Sequence, residues 1–595
     1  MITLLTKMVK EKLHSNILAI FFVTILPIIF AVDKFGFNSN NVKYPVFFSG
    51  DELIYASSVL SFSRGTPLFN SNMGGIRGQE LNFAFLSVDS GPTFVAGLIS
   101  SISGQSPFFG INILFILGFG LASLSGYFAA RVFGVSNLNA AVTGIIISIL
   151  PFHFLTVEWL TLSSYFFLPL LFALSIKRIY FAVSAKEKVV LYTLLILNGI
   201  WYSYYALGFL FLIITLVTVS SLRDLSSKSI RGSLDVILLT MLSFLVVAIP
   251  ALMAKKRAVG VDYFGERDPW AAIVNSTTLI HYITPYPSSW EDRISSLFLG
   301  KSGSQSVSGL QSLMNGTGLF AEGWKGAAPW GVLAFIFLIG IEISRGKPRN
   351  NSETFSIMKF FYAAALISLS LSLVGGLGNV FALTVSGILR GYARYSIFVL
   401  ILFVISIALY LDSGALSKKW RSIGAALFLL IPIGMTLNLA PVQAGTKTNQ
   451  YHQTVKLEKQ FNVAKGCSIL QLPIVHFPYE SPGYPTYRLL RFGLISDKFN
   501  WSGGFVGGSP SHASLMKLKD VQKVSLSEVI KVAQSQRYCG LLIDEEAWTS
   551  VSGFKPWPEY ESGLQPIEKF IVSNDTPVTI RVFQTEDTNY YWLKL

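Results

Sequence analysis

Charged residues and cysteine are scarce in this sequence. Only 13% of the 595 residues are charged, whereas a soluble globular protein carries about 25%. Because 51% of the residues are hydrophobic, most of the chain suits a lipid environment better than water. The presence of only two cysteines excludes a cysteine-rich metal site.

Acidic residues are fewer than basic ones, and the difference gives a net charge of +14. The basic residues cluster at the ends of apolar runs, where the positive-inside rule and anionic lipid headgroups explain them. The sequence shows no basic stretch interleaved with aromatic residues of the kind that binds single-stranded nucleic acid. The charge therefore indicates membrane lipids, and not nucleic acid, as partners.

Roughly eleven apolar windows, most of them near 20 residues long, predict membrane-spanning helices. They lie near residues 16–32, 110–131, 138–155, 162–182, 189–200, 202–221, 234–254, 329–344, 356–374, 393–412 and 421–439. The fifth window is short, which is typical of a broken or re-entrant helix. The predicted fold is thus a polytopic α-helical membrane domain over residues 1–439.

Basic clusters between the windows set the predicted orientation. Residues 177–188, 223–231, 345–349 and 418–421 carry them, and all fall on the same side as the basic N-terminus. The positive-inside rule then predicts a cytoplasmic N-terminus. Three long segments become external: 33–106, 255–329 and the tail, 440–595.

The tail has a different composition, with shorter apolar runs and more turn residues. Ser468–Leu472, Gly540–Asp544 and Val578–Phe583 are predicted strands, and Leu526–Gln536 is a predicted helix. We therefore expect residues 440–595 to form a small α/β domain outside the membrane.

Both cysteines lie in this tail, and each precedes a predicted strand. Cys467 comes before Ser468, and Cys539 comes before Gly540. If the two strands are parallel neighbours, their starts bring the Cα atoms within the ~4.4–6.8 Å that a disulfide requires. An external, oxidising compartment would then favour a structural disulfide; the alternative is two separate buried thiols.

An acidic pair, Asp51 and Glu52, follows the first apolar window. The predicted topology places it just outside the membrane, on the first external loop. One interpretation is a helix N-cap, formed by Ser49 or Asp51. The other is a general base for chemistry at the membrane surface, because a carboxylate can accept a proton from an attacking hydroxyl.

Other ionisable residues fall at the same predicted membrane face. His153 and Glu158 lie at the outer end of the third window, where such groups are costly and often functional, or simply face water. Asp89 is either a second acid or a turn residue. Glu322 lies where the second external loop returns to the membrane.

Arg390 and Arg394 stand at the external start of a late span, against the positive-inside trend. Four residues apart, they share one helical face if the helix begins early enough. Guanidinium groups there suit a phosphate, which arginine binds through two parallel hydrogen bonds. The alternative is that both side chains reach out to lipid phosphates.

The order of several motifs resembles the GT-C superfamily of polytopic glycosyltransferases, and within it a bacterial group with a soluble C-terminal domain. The matching segments are Gly50-Asp51, Arg77–Glu80 with Asp89, Pro151–Leu170, Asn198–Ala206 with Tyr202, Arg390–Arg394, Gln471–Pro473, Trp501–Gly504 and Leu542–Asp544. One departure is Trp159, which stands where a histidine is common. This departure argues against a metal or proton role for that position.

The resemblance implies an inverting enzyme of the bacterial cytoplasmic membrane. It would move a sugar from a polyprenyl-phosphate donor to a glycan, lipid or protein acceptor on the outer face. Asp51 would be the general base, with Glu52 merely adjacent. Arg394, Arg390 and His153 would hold the donor phosphate.

We expect a substrate pocket between the first external loop and the membrane surface, closed by part of the 255–329 loop and lined by Glu158, Glu322, Asp89 and Tyr202. Because the acidic residues are scattered, we expect no obligatory metal and no other cofactor. Two alternatives stay open: a transporter or flippase of lipid-linked glycans, which would need ionisable groups near mid-membrane, and a non-catalytic scaffold.

Overall fold

The computed structural model describes residues 2–84, 88–221, 227–258, 272, 276–277, 352–384, 391–413, 424, 426, 442–474, 487–504, 506, 509, 515, 526–547, 570–572, 576–578, 580–585 and 588–595. Among the sequence predictions, Arg390, Glu322 and the window 329–344 lie outside these residues. The window 421–439 lies almost wholly outside them.

Helices make up most of the described chain before residue 413. Their bounds are α1 Ile2–Phe35, α2 Asp51–Ser63, α3 Ser90–Ser103, α4 Pro107–Arg131, α5 Asn137–Ser148, α6 Pro151–Leu155, α7 Leu160–Ser163, α8 Leu168–Tyr180, α9 Ala185–Trp201, α10 Ser203–Ser221, α11 Ser227–Arg257, α12 Ser352–Ser372, α13 Leu377–Thr384 and α14 Ser396–Asp412. Short 3-10 turns cover Gly75–Arg77, Leu81–Ala84 and Tyr392–Tyr395.

Several of these helices are long and apolar enough to cross a membrane. Within the described residues they are Ile17–Phe35, Pro107–Arg131, Asn137–Leu155, Ile230–Arg257 and Tyr392–Asp412. Ser203–Val219 and Ile357–Ser372 are shorter apolar helices. The prediction of a mostly helical membrane protein is confirmed.

The helical bundle is built around α14. Every residue from Ser396 to Leu411 is buried, and α14 packs against α4, α5, α8 and α12. By contrast, α1 and α11 expose large apolar side chains such as Phe21 and Leu242. These exposed faces suit lipid, because large apolar patches are unfavourable in contact with water.

The third predicted span is interrupted in the structure, and the fourth is shorter than its apolar window. Helix α5 ends at Ser148, and α6 restarts at Pro151, a position where proline's missing N–H costs no helical hydrogen bond. Helix α8 begins only at Leu168, after the one-turn helix α7. Residues 149–167 therefore hold two short helices and the turns that join them to α5 and α8.

The tail contains a mixed five-stranded sheet of order β4-β3-β5-β9-β8. The strands and helices of the tail are α15 Thr448–Glu458, β3 Ser468–Leu472, α16 Leu490–Ile495, β4 Asn500–Trp501, α17 Leu526–Ser535, β5 Gly540–Asp544, β6 Phe570–Val572, β7 Thr576–Val578, β8 Ile580–Gln584 and β9 Asn589–Lys594. Strands β1 Phe69–Asn70 and β2 Gln79–Glu80 form a separate hairpin in the first loop. The predicted strand Val578–Phe583 is divided between β7 and β8.

The two cysteines precede parallel, adjacent strands. Strand β3 pairs with β5 in parallel, with Ile469 opposite Gly540. Cys467 and Cys539 are disulfide-bonded, and their Cα atoms lie 6.0 Å apart. The bond links the starts of two central strands, so it supports the sheet rather than a reactive site.

The tail packs directly on the first loop. The Asn72 amide donates to the backbone carbonyls of Gly493 and Ser496, both at 3.0 Å. The Gln79 amide donates to the Gly504 carbonyl at 2.8 Å. These buried amide contacts tie residues 70–80 to the edge of the sheet.

Candidate active site

The chain turns sharply just before Asp51. Gly50 holds the N-cap position of α2 with φ 58° and ψ −148°, a conformation that is essentially restricted to glycine. No side chain makes a capping hydrogen bond at this helix start, so neither Ser49 nor Asp51 acts as the N-cap. Asp51 occupies the first helical position, and its carboxylate makes other contacts.

Trp159 donates one of those contacts. Its indole Nε1 lies 2.6 Å from Oδ2 of Asp51. The indole is a donor only, so it fixes the orientation of the carboxylate without competing for its proton. The tryptophan at this position therefore orients the Asp51 carboxylate directly through a hydrogen bond.

Glu158 reaches the same turn. A Cβ placed on Gly50 would lie 2.5 Å from Oε1 of Glu158, so the Glu158 carboxylate lies directly against this glycine. The structure thus brings Glu158 beside the Gly50-Asp51 turn, as a shared pocket requires. Acidic groups from the first loop and from the α6–α7 connection meet at this point.

Glu52 is more than a neighbour of Asp51, contrary to the sequence prediction. Its side chain is 2% exposed, and its carboxylate accepts hydrogen bonds from the backbone N–H groups of Val46, Phe47 and Phe48 at 2.9, 3.0 and 2.7 Å. Phe48 itself has a positive φ of 52°. Glu52 therefore holds a strained backbone segment in place immediately before Asp51.

Burial raises the pKa of Glu52 to about 7, although the three backbone hydrogen bonds lower it and nearby Glu158 raises it further. A raised pKa means that the folded protein binds this proton more tightly than the unfolded chain does. The contribution of Glu52 to stability is thus greatest below its unfolded value of 4.5 and is lost as the pH rises through about 7.

Replacement of Glu52 by glutamine should reveal this linkage. As the pH rises from 5 to 8, the melting temperature of wild type should fall relative to that of Glu52→Gln, because glutamine does not titrate. Thermal unfolding of both purified proteins across that pH range measures the difference. A constant difference would show that Glu52 does not titrate there.

Arg394 is the basic residue of the candidate site. It belongs to the 3-10 turn Tyr392–Tyr395, directly before α14. Its Nη1 donates to the Tyr202 hydroxyl at 2.6 Å, and its guanidinium carbon lies 4.4 Å from the centre of the Tyr204 ring. Tyr202, between α9 and α10, and Tyr204, in the first turn of α10, therefore orient this arginine on two sides.

The predicted helical face shared by Arg390 and Arg394 is not a feature of the described residues. Arg394 precedes the α-helix, which begins at Ser396, and Arg390 lies outside the described chain. A 3-10 turn before the helix replaces the early helical start that the i, i+4 spacing assumed.

Asp89 connects the first loop to the start of α10. It stands before α3, and its Oδ1 accepts a hydrogen bond from the Ser203 backbone N–H at 2.8 Å. Burial raises the pKa of Asp89, while hydrogen bonds from Ser203 and the charge of Arg394 lower it. Asp89 therefore lies in a turn that is within the electrostatic reach of Arg394.

Tyr55 joins the separate parts of the site. Its hydroxyl lies 2.9 Å from the Thr161 hydroxyl. Burial raises the pKa of Tyr55, the charges of Asp51 and Asp89 raise it further, and the charge of Arg394 lowers it. All three charged side chains thus lie close enough to act on the half-buried Tyr55 phenol, and together they are called the cluster below.

His153 lies apart from the cluster of Asp51, Asp89 and Arg394, and its surroundings argue against a role as a phosphate ligand. The side chain is fully buried. Its ring stacks on Phe119 at 3.7 Å and packs edge-on against Phe115, and Nδ1 lies 3.2 Å from the Ser148 carbonyl oxygen. A ring enclosed in this way cannot reach a headgroup phosphate.

The structure therefore brings some of the candidate residues together and not others. Asp51, Glu158, Asp89, Tyr202 and Arg394 come together, whereas His153 is enclosed in the bundle and Glu322 and Arg390 lie outside the described residues. In the part of the chain that the structure describes, no three His, Cys, Asp or Glu side chains form a group that could hold a metal ion.

Sequence reasoning missed two contributors, Glu52 and Trp159. The only sequence signal for Glu52 was its position beside Asp51. For Trp159 the signal was its departure from the histidine common in the resembling group. Neither signal predicts the hydrogen bonds, because these depend on how the 46–50 segment turns.

Comparison with known proteins gives fold-level likeness only. No protein-family model matches the chain, and no curated protein matches its sequence significantly. One similar solved structure is the arabinofuranosyltransferase AftD from Mycobacteria, with 13% identity and a TM-score of 0.43; the match covers 90% of this chain but only 39% of AftD.

A second similar structure is ArnT from Cupriavidus metallidurans bound to undecaprenyl phosphate. It has 11% identity and a TM-score of 0.39, and the match covers 99% of this chain and 98% of ArnT.

Proposed function

We propose that this chain is a membrane glycosyltransferase that moves a sugar from a polyprenyl-phosphate donor to a glycan, lipid or protein acceptor. One observation supports the proposal: Asp51 and Arg394 both lie within electrostatic reach of the Tyr55 hydroxyl, although they are more than 300 residues apart in the sequence. A base and a phosphate-binding cation in one cluster are what transfer from a lipid phosphate requires.

The proposed reaction is a single displacement. The acceptor hydroxyl oxygen attacks the anomeric carbon while Asp51 accepts the hydroxyl proton. The bond between the anomeric carbon and the phosphate oxygen breaks, and its electron pair leaves with the polyprenyl phosphate. Attack from the side opposite the leaving group inverts the anomeric configuration.

Arg394 would stabilise the leaving phosphate. As the bond breaks, negative charge grows on the phosphate oxygens, and a fixed guanidinium stabilises that charge without moving. Tyr202 and Tyr204 already hold the guanidinium in one orientation. The preset orientation reduces the reorganisation that the reaction would otherwise need.

Acceptor binding is assigned to the side of Glu158. Its carboxylate lies against the turn that presents Asp51, where it can accept hydrogen bonds from sugar hydroxyls. Asp89, within electrostatic reach of Arg394, would orient the start of α10 through its hydrogen bond from the Ser203 N–H. No step in this scheme uses a metal ion.

We propose that the site faces the outside of the cell. The membrane domain would cover residues 1–439 with roughly eleven spans, and residues 440–595 would form an external α/β domain. At the opposite end of the bundle Asp412, the last residue of α14, accepts hydrogen bonds from Ser136 and Asn139 at the start of α5. Basic Lys177 and Arg178, at the end of α8, match the cytoplasmic side of the predicted topology. The candidate site lies at the other ends of these helices.

The transfer assay distinguishes an enzyme from a transporter. Purified protein would be incubated with radiolabelled polyprenyl-phosphate sugars and a panel of envelope acceptors. We expect labelled acceptor and released polyprenyl phosphate from at least one donor. Movement of intact donor across reconstituted vesicles, with no new glycosidic bond from any donor, would support the transporter instead.

A further inference from the structure

The tail contacts the backbone that presents Asp51. Arg491, in the short helix α16 of the tail, is 4% exposed. Its Nε donates to the Phe48 carbonyl at 2.8 Å, and its guanidinium carbon lies 4.6 Å from the centre of the Phe48 ring. A buried charge from the tail therefore binds the chain three residues before the proposed base.

The Phe48 segment is held from two directions. From α2, the Glu52 carboxylate accepts hydrogen bonds from the backbone N–H groups of residues 46–48. From the tail, Arg491 binds the carbonyl of Phe48. Both Phe48 and Gly50 have positive φ, so this conformation persists only because its surroundings enforce it.

A second connection runs from the tail to the body of α2. The Gln79 amide donates to the Gly504 carbonyl of the tail, and its Oε1 accepts from the Asn70 amide at 2.8 Å. Asn70 in turn donates to the Ser57 carbonyl of α2 at 2.9 Å. The tail thus contacts both the turn before α2 and the helix itself.

We propose that Arg491 is a positioning residue: through Phe48 the tail fixes the turn that aims Asp51 at its substrate. The tail is then a working part of the transfer site rather than an appended module. This inference rests on the proposed function for its kinetic consequence, but not for its structural one. The two consequences can be measured separately.

The structural test is backbone amide exchange in the full-length protein. Arg491→Met keeps much of the apolar contact but removes the hydrogen bond and the charge. A hydrogen bond from a charged group is strong enough that its loss should speed exchange at residues 46–48 about tenfold. Exchange in β3 and β5 should stay unchanged, which would show that the tail remains folded.

Arg488 provides a matched control. It is also buried, lies three residues earlier, and pairs with Asp544 and Glu546 inside the tail. Arg488→Met should alter exchange near residues 540–547 without changing residues 46–48. If Arg491→Met unfolds the tail, Arg491→Lys decides, because it keeps the charge but not the Nε donor and should show a smaller increase at 46–48.

The kinetic test compares kcat and KM. A misaimed base lowers kcat about tenfold with little change in donor KM, because the donor contacts are not altered. Unchanged exchange at residues 46–48 in both Arg491 variants would overturn the inference. So would faster exchange accompanied by wild-type kcat.

The two proposals fail differently. If the wild type transfers sugar from no donor in the panel, the proposed function fails even when Arg491→Met loosens residues 46–48. If Asp51→Asn is inactive and both Arg491 variants behave as wild type, only the positioning role fails.

Discussion

The Asp51→Asn variant is expected to transfer sugar at least ~10²-fold more slowly than wild type, with unchanged affinity for the donor. Asparagine has the shape of aspartate but cannot accept the hydroxyl proton. Its side-chain oxygen can still accept the Trp159 hydrogen bond seen in the structure, so folding should be preserved. Initial transfer rates at saturating donor measure the effect.

Trp159→Phe is the matched variant for this prediction. It leaves the carboxylate in place and removes only the indole N–H, so the rate should fall about tenfold, as expected for loss of orientation rather than of the base. Equal losses in the two variants would mean that Asp51 acts through its contact with Trp159. Near-normal transfer by Asp51→Asn would remove Asp51 from the mechanism.

Arg394→Ala is expected to lower kcat/KM for the donor by ~10²-fold or more, because the leaving phosphate loses a fixed positive charge. Arg394→Lys should recover only part of this loss. A lysine supplies a point charge, and it cannot bind two phosphate oxygens in parallel or stack on Tyr204 as the guanidinium does. Steady-state kinetics with varied donor would measure both variants.

Arg77→Ala serves as the control for charge alone. Arg77 is an exposed arginine of the same first loop, so its loss changes the net charge equally without touching the cluster. We expect its kcat/KM to match that of wild type. Equal effects of Arg77→Ala and Arg394→Ala would indicate general attraction of an anionic donor rather than binding at a site.

Hydropathy and basic clusters together predict which membrane face carries each loop, and they place Asp51 on the external face. The same topology predicts that the connections near Glu158, Tyr202 and Arg394 meet at that face. The disulfide between Cys467 and Cys539 follows from two strands that start side by side, and parallel pairing of β3 and β5 provides that arrangement.

Other features depend on local backbone geometry that periodicity does not encode. The positive φ of Phe48 and Gly50 turns three N–H groups toward Glu52, and a sequence pattern cannot specify that turn. His153 illustrates the opposite case. The break between α5 and α6 carries its ring into the bundle against Phe119, although its position in the sequence suggested an external face.

The tail shows a third limit. Its strands are readable from short apolar runs, but the contact between Arg491 and Phe48 joins residues more than 440 positions apart. Such a contact depends on how the tail is placed against the first loop. Only the folded arrangement reveals that a residue of the tail touches the turn before the proposed base.

The most direct test of the proposed function is release of polyprenyl phosphate by wild type and Asp51→Asn, measured with a donor that the wild type uses. We predict release coupled one-to-one to an acceptor product of inverted anomeric configuration, and at least ~10²-fold slower release by Asp51→Asn although it still binds the donor. Equal release by the two proteins, or a product of retained configuration, would contradict the account.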